Sequence, residues 1–317
     1  MQNRILITAI GTINGTAIIR ELRKGSDNNY LIGTDIYPAK YIVNSREVDE
    51  FYQFPKVVDN PEQYIKYIKG FCKDHQIDAI YAVIDEEVLA LASHREEFKQ
   101  LGVAVCEPGL RTVEICHDKA RFAQWMQENM PDNNIRTYKN INEISEYPVF
   151  IKPIHGRASV GCRKVETYIE LKDLKLNWNE YVIQEFTTGE LYAADIIANP
   201  LHNQLLVVQR KEHLRNSNGC GMVVEIVNEA RINEVCECFA KKMGVEGIIN
   251  IEFFVSETDI KIIEVNPRLP AGTEFTCMAG GNTVVNALKI ANGEKCEWDS
   301  INLGAIYARR YETYEMK

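Results

Sequence analysis

Apolar positions in the first hundred residues alternate between short continuous runs and stripes spaced three and four apart. Residues 5–10 form a continuous run, followed by Gly11-Thr12-Ile13-Asn14-Gly15 and a helical stretch to Lys24. A second run, 30–34, ends at Asp35. Residues 61–75 place Tyr64, Ile65, Ile68, Phe71 and Cys72 on one helical stripe. A third run, 79–84, ends at Asp85-Glu86-Glu87, and 103–106 is a fourth. Unbroken apolar strands separated by helices predict a parallel sheet covered on both faces. Glu107-Pro108-Gly109 interrupts the pattern and marks a boundary.

Beyond it the pattern changes. Asp118 is placed to cap a helix over 119–129, with Phe122, Trp125 and Met126 on one face, and Pro131 stops it. Strand-like runs follow at 148–152, 162–166, 181–186, 190–197, 204–210, 247–255 and 260–266. One further helix is clear, 231–243, with Ile232, Val235, Cys236, Phe239, Ala240 and Met243 on a stripe and Gly244 as its stop. Strands joined by short turns predict antiparallel pairing, so α/β gives way to α+β. The 317 residues divide on this reading into an α/β unit over 1–108, a small unit over 109–186 and a larger one over 187–317.

Composition removes several classes of function. Subtracting 45 Asp+Glu from 36 Lys+Arg leaves −9, so no global basic field exists to hold nucleic acid. No apolar run approaches the roughly 18 residues of a membrane span, and residues 1–8 lack the apolar core and small-residue cleavage site of a signal peptide. The nine cysteines are an odd number and include no C-x-x-C, which predicts reduced thiols and a cytoplasmic setting.

Three segments carry candidate chemistry. In Val149-Phe150-Ile151-Lys152-Pro153 an apolar strand delivers a lysine to a loop bounded by Gly156 and Gly161 and carrying Ser159. Backbone amides of such a loop can surround phosphate oxygens, and Lys152 adds a point charge. Lys-Ser/Thr does not follow Gly161, and Cys162–Val165 is strand-like, so the segment predicts a β–loop–β flap rather than a Walker loop.

The second segment is a hairpin of 247–255 and 260–266. With a three-residue loop, Glu257-Thr258-Asp259, Glu252 lies across from Glu264 and Asn250 across from Asn266; a four-residue loop sends the two glutamates to opposite faces. Opposed carboxylates among Ile and Phe neighbours repel and are poorly hydrated. A divalent cation relieves that repulsion, and Asn266 supplies another hard oxygen of the kind Mg²⁺ takes. Arg268, two residues further on, would lie beside a phosphoryl group held there. The third segment, Tyr181-Val182-Ile183-Gln184-Glu185-Phe186, is a buried strand running into a turn at Gly189-Glu190.

Taken in order, Lys119, Lys152, the 156–161 loop, Gln184-Glu185-Phe186, Glu190, Glu252 and Glu264-Val265-Asn266-Pro267-Arg268 resemble the ATP-grasp superfamily, most closely its carbamoyl-phosphate-synthase-like and biotin-carboxylase-like carboxylate–amine ligases. The resemblance implies a pre-ATP-grasp α/β domain followed by a two-lobed ATP-grasp fold, with 109–186 as the lid. It implies that Lys119, Lys152, Gly156, Ser159 and Gly161 attend the ATP phosphates, Glu185 and Phe186 the adenine, and Glu190 the ribose. Glu252, Glu264 and Asn266 would hold one or two Mg²⁺, with Mn²⁺ as a substitute, and Arg268 would steady the phosphoryl group in flight. The implied reaction joins a small carboxylic acid to an amine through an acylphosphate and releases ADP and phosphate. A homodimer is common among similar enzymes.

The chain departs from the family in reading Leu269-Pro270-Ala271-Gly272-Thr273 where a glycine-rich turn is usual, and it has one synthetase-like unit and no biotin-carrier Met-Lys-Met. For the substrates, Asp85 and Glu86 at the end of a parallel strand suit an ammonium group, and Arg210 and Arg215 suit a carboxylate or acylphosphate. Two other readings compete. A nicotinamide oxidoreductase is suggested by the first glycine turn and Asp35, but that turn is G-x-x-x-G and leaves the second half unexplained. A non-catalytic ATP-binding subunit or a partial carbamoyl-phosphate-synthase-like subunit would keep the same site.

Overall fold

A computed structural model describes residues 3–26, 28–156 and 160–316. Its strands form three sheets in chain order. The first is β1 (Asn3–Ile7), β2 (Asn29–Asp35), β3 (Glu50–Gln53), β4 (Ala79–Tyr81) and β5 (Ala104–Val105), all parallel in the order β3-β2-β1-β4-β5. Helices α1 (Ile13–Gly25), α2 (Pro61–Asp74), α3 (Asp85–Ser93) and α4 (Arg95–Gln100) connect them. The expected stripe of α2 is buried at all five positions. Strand β3 was not expected; its Glu-Phe-Tyr-Gln has a half-buried, half-polar pattern that gives little signal. Asp85-Glu86-Glu87 open α3 instead of ending a strand, where acidic side chains favour the helix N-terminus.

Helices α5 (Leu110–His117) and α6 (Lys119–Asn129) lead out of this unit, and the Asp118 carboxylate accepts from the amides of Ala120 and Arg121 as expected. The second sheet is antiparallel, ordered β6-β9-β7-β8: β6 (Thr137–Tyr138), β7 (Val149–Pro153), β8 (Arg163–Val165) and β9 (Tyr181–Glu185), with α7 (Tyr168–Asp173) on one side. Strands β7 and β8 are the predicted flap.

The third sheet is ordered β14-β13-β10-β11-β12-β15, again antiparallel: β10 (Glu190–Asn199), β11 (Gln204–Arg215), β12 (Gly221–Val227), β13 (Gly247–Val255), β14 (Ile260–Asn266) and β15 (Ile306–Ala308). Helix α8 (Ala230–Met243) packs Ile232, Cys236, Phe239 and Met243 against Ile196, Ile249, Ile251 and Phe253 on one face of it, and ends at Gly244 with φ 72°. That leaves the opposite face for the site. Helices α9 (Thr273–Met278) and α10 (Thr283–Ala291) join this sheet to the first: Ile5, Ile7 and Ile18 share a core with Ile197, Ile248, Leu269 and Val284. Polar ties reinforce that seam, with Asn14 Nδ2 donating to the Leu269 carbonyl (2.7 Å) and the Tyr81 hydroxyl to the Val284 carbonyl (2.8 Å).

Candidate active site

Directly paired residues share a face, so the register of the third sheet states which side chains meet. One row runs Arg210, Ala193, Glu252, Glu264 across β11, β10, β13 and β14; the next runs Asp195, Asn250, Asn266. On the other side of the carboxylates, Leu191 pairs with Phe254. Along this face the chemistry therefore passes from apolar to doubly acidic to amide. Ala193 leaves room for the three charged side chains of its row: a larger residue there would stand between Arg210 and Glu252.

Glu252 does lie opposite Glu264, but not through the three-residue loop. The Ser256 amide bonds the Asp259 carbonyl (2.8 Å) and Val255 pairs with Ile260, so the turn spans four residues. That register alone would separate the two carboxylates. A bulge corrects it: Phe253 pairs with Ile262, and Glu252 with Glu264, leaving Ile263 unpaired. One extra residue flips every side chain beyond it to the other face. The bulge also supplies an acceptor, since Lys152 Nζ donates to the Ile263 carbonyl at 3.2 Å.

These groups line a cavity of about 630 Å³ between the three sheets. Its apolar lining includes Leu191 and Phe254, the row beside the carboxylates, with Phe150 and Phe186; its polar lining includes Lys119, Lys152, Glu185, Glu252, Glu264, Asn266 and Arg268. Lys152 is buried, which pulls its ammonium below the ordinary lysine value, while Glu264 opposes the shift. Lys119 Nζ donates to the Gly156 carbonyl at 2.8 Å. Burial, then the charge of Glu264, pushes Glu252 up to about 7, with Arg215 pulling the other way. Arg215, 2.6 Å from Glu252, supplies one positive charge to the pair. Among the described residues no three His, Cys, Asp or Glu side chains form a complete metal nest. Glu252, Glu264 and the Asn266 amide oxygen would leave the remaining positions of a Mg²⁺ ion to water and phosphate, a donor set that fits this ion.

The predicted site residues separate into groups. Gly156, Glu185, Phe186, Asp85, Glu86, Arg210 and Arg215 line the cavity with the lysines and acids above. Gly161, at φ 77°, turns the flap and does not line it. Glu190 is also outside the lining and pairs with Lys211 at 2.6 Å. Ser159 lies outside the described residues. Arg268 Nε donates to Asp85 at 2.5 Å and Nη2 to the Asn266 side-chain oxygen at 3.3 Å. Arg210 was expected to be available to a ligand. Instead it is almost wholly buried, bonded to both Asp195 oxygens (2.8 and 3.1 Å) and to Thr276.

Several lining residues gave weaker signals. Thr12, Ile13 and Asn14 at the start of α1, Val83 and Ile84 after β4, and residues 218–221 before and at the start of β12 also line the cavity. Glu212 lines it too; it follows Arg210 by two positions and shares its face. Arg215 reaches that face because two register irregularities fall between Glu212 and Arg215, which strict alternation does not foresee.

A model of the ATP-grasp domain matches residues 116–272, and a model of the PylC-like N-terminal domain matches residues 5–106. The chain belongs to the ATP-grasp proteins. It is 26% identical over 230 residues to the 3-methyl-D-ornithine–L-lysine ligase of Methanosarcina mazei, across 71% of this chain and 56% of that protein. The biotin carboxylase domain of Hydrogenobacter thermophilus 2-oxoglutarate carboxylase, solved as a dimer with MgADP, ADP and bicarbonate, superposes with a TM-score of 0.76 at 16% identity, covering 96% of this chain and 73% of that one. An L-amino acid ligase from Bacillus licheniformis superposes with a TM-score of 0.68 at 15% identity, covering 92% and 74%. These likenesses show the fold. The ATP-grasp chain spans 56–64% of the length of the first two curated relatives it matches.

Proposed function

We propose that this ATP-grasp chain joins a small carboxylic acid to an amine, activating the acid as an acylphosphate at the expense of ATP and releasing ADP and phosphate. The observation that carries this reading is the convergence of Glu252, Glu264, Asn266, Lys152 and Arg268 on one cavity that also has an apolar lining. Adenine takes the Phe150–Phe186–Leu191–Phe254 lining beside Glu185. The phosphates lie along Lys119 and Lys152, beside the β7–β8 flap. Mg²⁺, or Mn²⁺ in its place, held by Glu252, Glu264 and Asn266, supplies charge neutralisation for in-line phosphoryl transfer. Arg268 steadies the transferring group, and Asp85 fixes the guanidinium. The acid and amine occupy the end walled by Thr12–Asn14, Asp85, Glu86 and Arg215, where exclusion of water protects the acylphosphate.

The division into 1–108, 109–186 and 187–317 is supported by one sheet in each part. A cytoplasmic setting is supported by nine free cysteines, and the described residues contain no helix long and apolar enough to cross a membrane. A homodimer is supported by the dimeric biotin carboxylase neighbour. The test is a screen of acid and amine libraries for ADP release by the purified protein. The reading requires ADP and phosphate to appear at a substantial rate only when acid and amine are both present. AMP with pyrophosphate contradicts it.

A further inference from the structure

Arg215 holds a metal-ligand candidate and stands beside an unsatisfied acid. Its Nη2 donates to Glu252 at 2.6 Å, so a guanidinium occupies one side of the carboxylate pair. Its Nε is buried without a hydrogen-bond partner among the described residues. Glu212 Oε2, also buried and without such a partner, lies 3.9 Å from that Nε, too far for a hydrogen bond. Glu212 is 6% exposed at its side chain and is pressed against Gly221, where a Cβ would come within 3.1 Å of its carboxyl carbon. A buried donor and a buried acceptor left unjoined at that separation each cost stability.

One movement would satisfy both. We propose that Arg215 is a counter-cation that serves Glu252 while no metal is present and passes to Glu212 when Mg²⁺·ATP arrives. A divalent cation shared by Glu252 and Glu264 competes with the Arg215 guanidinium for the Glu252 charge and repels it, which weakens the Arg215–Glu252 bond. Released from Glu252, Arg215 closes the short gap to Glu212. Its Nη atoms then face the cavity at the acid-binding end instead of the metal end. Arg215 is thus a positioning residue that makes the site for a substrate carboxylate dependent on prior binding of metal–nucleotide. This rests on the nucleotide-site reading above and adds an order of binding to it.

The test reads binding rather than turnover. Affinity of the full chain for Mg²⁺·AMP-PNP and for metal-free AMP-PNP is measured by calorimetry in wild type, Arg215→Met and Arg215→Lys. Removing the competing charge is expected to tighten Mg²⁺·AMP-PNP binding about tenfold in Arg215→Met and leave metal-free AMP-PNP unchanged, with Arg215→Lys close to wild type. In EDTA, Arg215→Met melts lower than wild type, because Glu252 is left uncompensated, and Mg²⁺·AMP-PNP reverses the deficit. Weaker or unchanged Mg²⁺·AMP-PNP binding in a folded Arg215→Met overturns the proposal. If that variant does not fold, wild-type crystals decide. With Mg²⁺·AMP-PNP bound, Arg215 is expected on Glu212; Arg215 still hydrogen-bonded to Glu252 overturns the switch alone. Failure of wild type to bind Mg²⁺·AMP-PNP at all overturns the nucleotide site on which it depends.

Discussion

Arg268 donates from Nε to the Asp85 carboxylate at 2.5 Å, tying the end of β14 to the first turn of α3. The two residues are 183 positions apart and follow strands of different sheets, Asp85 after β4 and Arg268 after β14. Through this pair the parallel N-terminal unit sets the direction of the guanidinium assigned to the transferring phosphoryl group. Asp85→Asn keeps the shape and loses the charge. A hydrogen bond to a charged group contributes about 1.5–3 kcal/mol, so kcat/KM is expected to fall roughly ten- to a hundredfold. Steady-state ADP release alongside thermal melting checks it: the rate drops while the fold persists.

Glu264→Gln and Glu252→Gln each remove one of the facing carboxylates. Each is expected to weaken Mg²⁺·AMP-PNP affinity by about tenfold or more and to leave the circular dichroism spectrum unchanged. A magnesium titration at fixed nucleotide measures it.

Gly272 packs against the buried ion pair. Its φ of −82° suits any residue, but a Cβ would come within 2.5 Å of Arg210 Nη2 and 2.8 Å of its Cζ. That guanidinium cannot swing aside, because Asp195 and Thr276 hold it. Gly272→Ala is therefore expected to cost about 1–3 kcal/mol of stability, read by urea denaturation, and to disturb the acid-binding end of the cavity.

Two buried acids outside the nucleotide site set a pH dependence. Burial pushes Glu107 up to about 8, opposed by the Ala82 amide and Arg95, and pushes Glu87 up to about 7, opposed by Thr8 and Tyr64. Between the ordinary carboxyl value of 4.5 and about 8 the native protein holds protons that the unfolded chain has released. Stability must then decline as pH rises through that window and level off above it. Glu107→Gln keeps an acceptor for the Ala82 amide and removes part of the slope. Melting curves from pH 5 to 9 for both proteins measure the difference.

Much of this fold was legible because long apolar runs and stripes state their own period. The helices α2, α6 and α8 and the strands that carry Lys152, Glu252 and Glu264 are of that kind. What escaped has local physical causes. Strand β12, Gly-Met-Val-Val-Glu-Ile-Val, follows a glycine-rich turn, and β15 has three residues, two of them exposed. The Glu252–Glu264 pairing was foreseen for the wrong reason, since a bulge at Ile263 offsets a longer turn; a bulge has no period to read. Arg210 and Arg215 look alike in Gln-Arg-Lys-Glu-His-Leu-Arg. Only the pairing of Arg210 with Asp195, 15 residues earlier on the neighbouring strand, distinguishes a locked arginine from one beside the acids.

The facing glutamates sharing a nucleotide-bound cation are the centre of the account, and anomalous diffraction from a crystal grown with Mn²⁺·AMP-PNP tests them directly. A manganese peak is expected between Glu252 and Glu264, about 2.0–2.3 Å from an oxygen of each, with Lys152 on the phosphates. A nucleotide bound with its metal away from both carboxylates would contradict it.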